Sequence, residues 1–345
     1  MKIALITDTH FGARGDSQLF HDYFMKFYDN IFFPYLEKEN IKTIIHLGDV
    51  TDRRKFINYN ILNGLKSGFI EKLKKYDCYF IVGNHDVYYK NTNRINSMEQ
   101  LFGNDFRTYT ETTTLNVGGI NICFVPWINS ENYDESVNHI KKTKATVALG
   151  HLELNGFEMM RGIKCEAGMD MKLFKKFNLV CSGHFHTKSN QGRIHYLGSP
   201  YEMYWNDCND TKGFHIIDTN DIEGSLDFIE NPFKMFYKIW YDDSKLLKVL
   251  PNGYKDKYVK LIVKNKSNQY KFDIFVDDLY KQGVADLSIV DETDIEFEES
   301  TEIDTTEDTM SLLTNYIDNY EIDVDKNKLK IIMQDLYMSA VRGEV

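Results

Sequence analysis

Gly83-Asn84-His85-Asp86, directly after the apolar run Cys78-Tyr79-Phe80-Ile81-Val82, sets an amide oxygen and an imidazole side by side at the end of a predicted strand. Four other stretches repeat this arrangement: Asp8-Thr9-His10, Gly48-Asp49, Gly150-His151 and Gly183-His184-Phe185-His186, after apolar runs at residues 3–6, 43–47, 145–149 and 178–181. Oxygen and nitrogen ligand types thus recur where buried strands end. Between the first three strands, residues 16–37 and 58–75 carry apolar side chains at helical spacing, as at Phe20, Phe24, Phe27, Tyr28 and Ile31. Strand, helix, strand, helix, strand predicts a parallel sheet covered by helices, with ligands gathering at its carboxyl edge.

Farther along, residues 112–117 and 120–125 flank Gly118-Gly119, a hairpin signal. Residues 95–102, 131–142 and 171–177 read as helices, and strands are expected at 184–189, 193–197, 213–218, 225–230 and 235–241. The expectation is an α/β fold, a two-layered β-sheet core flanked by helices, filling residues 1–241. Residues 258–263, 270–281 and 286–290 read as strand, helix, strand, a small α+β unit over 242–295. An acidic linker follows at 296–308, and residues 309–345 form a helical tail. In that tail Leu329, Ile332, Met333, Leu336, Tyr337 and Ala340 share one helical stripe, which either packs on its own protein or docks to a partner.

Length and composition, 345 residues with 42% hydrophobic and 14% aromatic, allow a substantial core and about two domains. No long apolar stretch precedes the first motif and none approaches the roughly 18 residues of a membrane span, so neither a signal peptide nor a membrane segment is expected. Five scattered cysteines without a CxxC pair point to reduced thiols in a cytoplasm and away from a cysteine zinc site. A net charge of -11 excludes a broad basic grip on nucleic acid. Much of that charge lies in one run from Asp286 to Asp308 that holds no Lys or Arg. Cations bound at a site would add positive charge that the count omits.

Each short motif is weak alone, since a lone His is more often a satisfied core or surface residue. Together, Asp8, His10, Asp49, Asn84, His151, His184 and His186 suit a two-metal centre, in which a bridging carboxylate holds two divalent ions about 4 Å apart. Mixed oxygen and nitrogen donors without thiolate fit manganese or iron better than structural zinc. A phosphate ester is the substrate such a pair handles, and His85 is kept off the metals to protonate the leaving oxygen or stabilise its charge. Arg53 and Arg54, with Lys55, either hold a phosphate of the substrate or form a solvated charge cluster. Phe11, Phe185, Tyr201 and Tyr204 either stack on an unpaired base or belong to the core.

These five motifs, in this order, resemble the signature of the calcineurin-like metallophosphoesterases. The closer resemblance is to the SbcD-type double-strand-break repair nucleases, and within them to the branch of T-even-type phages. It is supported by Val125-Pro126-Trp127, by residues 150–157, by Ser182-Gly183-His184-Phe185-His186-Thr187 and by Tyr196-Leu197-Gly198-Ser199-Pro200. The resemblance covers residues 1 to about 240 well and the tail only loosely. It implies Asp8, His10, Asp49 and His186 around one manganese, Asp49, Asn84, His151 and His184 around the other, and His85 as the catalytic histidine. Magnesium or iron are the substitutes for manganese. It further implies 3′ to 5′ exonuclease action on double-stranded DNA, endonuclease action on single strands, a homodimer, a DNA-positioning cap, and an SbcC-type SMC-like ABC ATPase bound through the C-terminal segment. A cytoplasmic location is expected, that of a host cell for a phage protein. The helix at 58–75 is the first candidate for the dimer surface. Asp52 stands where some relatives carry a DNA-proximal His, so it is left out of the site.

Two alternatives remain. Gly48-Asp49-Val50-Thr51-Asp52-Arg53 resembles the GDxxDR of serine/threonine phosphatases, but His184 and His186 together, and Asp86 after His85, favour a nuclease. A non-catalytic scaffold on the same fold would be expected to have lost ligands, and here every position is filled.

Overall fold

The computed structural model describes residues 1–160, 163–222, 226–245, 252–291, 317 and 325–341. Its strands, in chain order, are β1 (Lys2–Ile6), β2 (Thr43–His46), β3 (Asp77–Ile81), β4 (Arg107–Tyr109), β5 (Thr113–Val117), β6 (Ile120–Val125), β7 (Val147–His151), β8 (Glu158–Met160), β9 (Ile163–Lys164), β10 (Leu179–Gly183), β11 (Ser189–Gln191), β12 (Ile194–Tyr196), β13 (Gly213–Asp218) and β14 (Asp227–Glu230). These belong to one compact unit, Met1–Tyr201 with Thr211–Phe233. A second unit comprises Glu202–Asp210 and the described residues of Lys234–Val341.

The first unit is built on two six-stranded sheets, ordered β14-β13-β1-β2-β3-β4 and β11-β12-β10-β7-β6-β5. β1 through β4 run parallel, as do β6, β7, β10 and β12, while β13, β14, β5 and β11 join antiparallel. Side chains alternate across a strand, so each buried run serves two cores. Ile3, Leu5, Ile45, Leu47, Ile81, Phe124, Leu149 and Cys181 form one buried cluster between the sheets. Their neighbours Cys123, Val125, Ala148 and Val180 pack with Ile140, Phe174 and Phe177 on the outer face of the second sheet. Outside the first sheet, Phe24, Phe27, Tyr28, Phe32 and Phe69 make an aromatic layer, with the Tyr28 and Phe69 rings 4.4 Å apart. The expected helices are present at Gln18–Phe27, Phe33–Lys38, Tyr59–Gly64, Ser97–Phe102 and Tyr133–Lys142, the first and third prolonged through wider π turns.

Two expectations are corrected. Residues 184–189 are not a strand: His184 leaves extended geometry with φ 90°, and pairing resumes only at β11. The run at 235–241 does not end the large unit. It is β15 (Phe236–Asp242), which pairs in parallel with β16 (Tyr258–Asn265), itself parallel to β17 (Asp286–Asp291), so the smaller unit starts earlier than residue 242. The helix Gln269–Lys281 covers one face of that three-stranded sheet through Phe272, Phe275 and Leu279. In residues 58–75, Ile61, Leu65, Phe69, Ile70 and Leu73 are buried within their own unit, while Tyr59 is exposed.

All five cysteines are free and buried. Among the described residues no helix is long and apolar enough to cross a membrane. A helix spans Lys326–Val341 in the tail, while the acidic linker at 296–308 lies outside the described residues.

Candidate metal centre

Each motif residue sits at the carboxyl end of a parallel strand. β1 leads to Asp8 and His10, β2 to Asp49, β3 to Asn84 and His85, β7 ends on His151, and β10 leads to His184 and His186. Asp8, His10 and Asp49 adopt φ of 52°, 40° and 57°, a left-handed geometry that turns the chain sharply at the strand exit. The turns brace one another: the Asp8 amide donates to the Gly48 carbonyl at 3.0 Å and the His10 amide to the Asp49 carbonyl at 3.1 Å. Gly83 lets the third turn approach the second, since a Cβ there would lie 2.2 Å from Asp49 Oδ1.

The predicted ligands form two clusters, and a third group, His10, Asp52 and His85, shares His10 with the first. Asp8, His10 and His186 offer ligand atoms that lie within 4.8 Å of one another, and so do Asp49, His151 and His184. In the first, His10 Nε2 and His186 Nε2 face each other at 3.1 Å, with Asp8 Oδ1 3.9 and 4.0 Å away. In the second, Asn84 Oδ1 lies 2.9 Å from both His151 Nε2 and His184 Nδ1. Asp49 Oδ2 stands between the clusters, 3.2 Å from His151 Nε2 and 3.7 Å from His10 Nε2. Ring nitrogens that converge on each other and on single oxygens have the geometry of a cation cradle, and this donor set of imidazoles, carboxylates and an amide, free of thiolate, could hold a divalent metal.

Three groups orient these ligands. His151 Nδ1 lies 2.7 Å from the Leu47 carbonyl, which can only accept, so Nδ1 carries the proton and Nε2 faces the cluster. His85 Nδ1 likewise donates to the Asp52 carbonyl, while the His85 amide donates to Asp49 Oδ1 at 2.8 Å. The Asp52 carboxylate reaches His10 Nδ1 at 3.2 Å. Asp52, left out of the site on sequence grounds, therefore contacts two histidines, His10 through its carboxylate and His85 through its backbone carbonyl. Asp86, in sequence only one letter of a motif, holds the turns together. Its Oδ2 accepts from the amides of Asp49 at 2.8 Å and Gly83 at 3.0 Å, and its Oδ1 from Val50 at 2.9 Å, Thr51 at 3.2 Å and the Ser97 hydroxyl at 3.2 Å.

Electrostatics follow from this crowding. Burial would raise Asp49, but His151, His85 and His10 outweigh it and hold the carboxyl well below its usual range. His151 responds in the opposite sense: burial disfavours its cation, yet Asp49 and Asp8 push it up to about 9. Asp86 is pushed up to about 6 by burial and by Asp49, against its amide donors. In the metal-free protein at neutral pH, His151 thus holds a proton that an incoming cation must displace. Metal affinity is expected to strengthen by about tenfold per pH unit for that proton, levelling off above pH 9. Calorimetric titration in buffers of different ionisation enthalpy measures the released proton, and a pH-independent affinity between 7 and 9 would remove His151 from the ligand set.

The remaining predicted contacts fare differently. Phe185 is 1% exposed and stacks on Tyr196 at 4.6 Å, and Phe11 and Tyr201 are equally buried, so none offers a face to a base. Arg53 is paired with Asp16, and Arg54 lines a surface recess with it beside Lys55, Phe56 and Tyr88.

Residues 1–188 match the family model described as calcineurin-like phosphoesterase. The chain is 29% identical to an exonuclease subunit of Enterobacteria phage T4 over 99% of its own length and 100% of that protein's. It is 26% identical to the SbcD component of the nuclease SbcCD from Staphylococcus epidermidis over 79% of each chain. Among solved structures, a protein of unknown function from Aquifex aeolicus aligns over 44% of this chain and 77% of its own at 18% identity, with a TM-score of 0.24 that carries no weight. The likeness drawn from the motifs is thus the likeness these comparisons find, and the match runs from the first residue through every cluster member. The chain belongs to the calcineurin-like phosphoesterase family.

Proposed function

We propose that this phosphoesterase is a manganese-dependent DNA nuclease, acting 3′ to 5′ on double-stranded ends and endonucleolytically on single strands. The observation that carries the reading is Asp49 Oδ2, which lies within 4 Å of a histidine nitrogen from each cluster and so is placed to be shared by two cations. Asp8, His10, Asp49 and His186 would hold one ion and Asp49, Asn84, His151 and His184 the other. Bound there, two cations would supply the Lewis acidity that lowers the pKa of a water and offsets charge on a phosphodiester. His85 contributes the proton. Its Nδ1–H is tied to the Asp52 carbonyl, which leaves Nε2 as the nitrogen that exchanges a proton with the leaving oxygen.

The choice of DNA rests on the relatives, two of which are named as nucleases and match across most of their lengths. The same likeness supports a wider assembly. The unit that carries β1 to β14 would be the nuclease domain, the smaller unit with β15, β16 and β17 a cap that positions DNA, and 309–345, beyond the acidic linker, the segment that docks an SbcC-type ATPase, in a homodimer working in the cytoplasm.

The test is hydrolysis of end-labelled linear duplex DNA with manganese, magnesium or chelator, alongside a phosphomonoester. His85→Ser is expected to lower kcat by roughly 10²- to 10⁴-fold, the usual share of a general acid, with bound metal unchanged. Monoester turnover beside intact DNA would replace the nuclease with a phosphatase. A His85→Ser variant as fast as the parent would take the proton from another group.

A further inference from the structure

A recess of about 130 Å³ opens directly beside the second cluster, lined by Trp127, Ile128, Tyr133, Glu153 and Met169, with His151 at its inner end. Its volume admits one flat ring and falls well short of the roughly 300–1,000 Å³ of a whole drug-sized ligand. The Trp127 ring stands 5.2 Å from the His184 ring and 6.2 Å from that of His151, so anything stacked on it is within a nucleotide's reach of the cations.

The recess is rigid by construction. The Trp127 amide donates to the Val82 carbonyl at 2.8 Å, and the Trp127 carbonyl accepts from Asn93 Nδ2 at 2.8 Å and Asn132 Nδ2 at 3.1 Å. On the opposite wall, the Met169 amide donates to the Glu153 carbonyl at 2.8 Å, and the Asn155 amide to the Met169 carbonyl at 3.0 Å. Gly168 permits that approach, because a Cβ there would lie 2.6 Å from the Asn155 nitrogen. Tyr133, 49% exposed at the start of its helix, leaves the mouth open to solvent.

Its chemistry selects one part of a nucleotide. Glu153, with Oε2 4.0 Å from His184 Nε2, puts negative charge at the rim and repels a second phosphate. An indole, a phenol and a thioether attract an uncharged planar ring. We propose that this recess receives the nucleobase adjoining the scissile phosphate, with Trp127 as its stacking platform, an inference that rests on the nuclease reading above. Phe11, Phe185 and Tyr201 are buried, whereas Trp127 lines the recess.

The experiment measures release of the 3′-terminal residue from a duplex whose cleaved strand ends either in a normal nucleotide or in a base-free tetrahydrofuran residue, with manganese present. The parent is expected to favour the base-bearing strand in KM by roughly 5- to 140-fold, the worth of one aromatic stack. Trp127→Ala is expected to bring that ratio close to one, and Trp127→Phe to keep most of it. Metal content, measured on each variant, separates lost stacking from a disturbed His184. Equal KM values for the two strands in the parent, or an undiminished ratio in Trp127→Ala, would overturn the assignment. If the parent cleaves neither strand, the nuclease reading itself falls. Turnover of an aryl phosphate that depends on Trp127 would then give the recess to an aromatic side chain of a phosphoprotein.

Discussion

Asp49→Asn is expected to empty both halves of the centre and to lower kcat/KM on a phosphodiester by at least about 10⁴-fold. Each cation is worth several kcal/mol of transition-state stabilisation, and 1.36 kcal/mol is a factor of ten, so losing both exceeds any single-ligand change. The substitution keeps the volume of the side chain and an oxygen for the His85 amide, which isolates the loss of charge. His186→Ala is the comparison, because His186 lies only in the cluster with Asp8 and His10. It should release one ion per chain where Asp49→Asn releases two. Mass spectrometry of the bound metal reads the difference directly. An asparagine variant that retains both ions and more than about a tenth of the parent activity would show that Asp49 is not shared.

The ligands were legible because a polar residue at the end of an unbroken apolar run has few structural reasons to be there. Parallel pairing puts three of the five ends side by side in the first sheet, after β1, β2 and β3, and two in the second, after β7 and β10. What stayed hidden was orientation. Asp52 acts on His85 through its backbone carbonyl, which every residue possesses, and no pattern of side chains announces it. Phe185, open in sequence between an unpaired base and the core, packs into the core cluster of the second sheet, while His184 and His186 on either side of it enter the two ligand clusters. β15 has the composition of any half-buried strand, and its partner β16 follows only after a long connection. Non-local pairing of that kind leaves no local trace. β4 was missed for a simpler reason, since Arg107-Thr108-Tyr109 contains no apolar run at all.

Asp86→Ala is expected to destabilise the protein by roughly 3–5 kcal/mol, the cost of breaking a buried charged network, against total stabilities of about 5–15 kcal/mol. The carboxylate is fully buried and accepts from four backbone amides and the Ser97 hydroxyl, so it joins the loop after β2 to the loop after β3. Truncation strands those donors away from water, each at about 1–3 kcal/mol before the loops relax. The loops that would move carry Asp49, Asn84 and His85, so metal affinity should fall with stability. Asp86→Asn separates the two effects. Its amide oxygen can still serve Val50, Thr51 and Ser97, but its NH₂ then faces the amides of Asp49 and Gly83, donor against donor. A smaller loss of stability with roughly 10- to 100-fold weaker metal binding is expected, the usual effect of an altered group behind the ligands. Urea unfolding in chelator reads the first quantity and metal titration of the folded protein the second. An alanine variant that unfolds at the parent midpoint would mean the two loops hold each other through Gly83 and the strand exits alone, and the unchanged volume of the asparagine variant would then have no bearing on the metals.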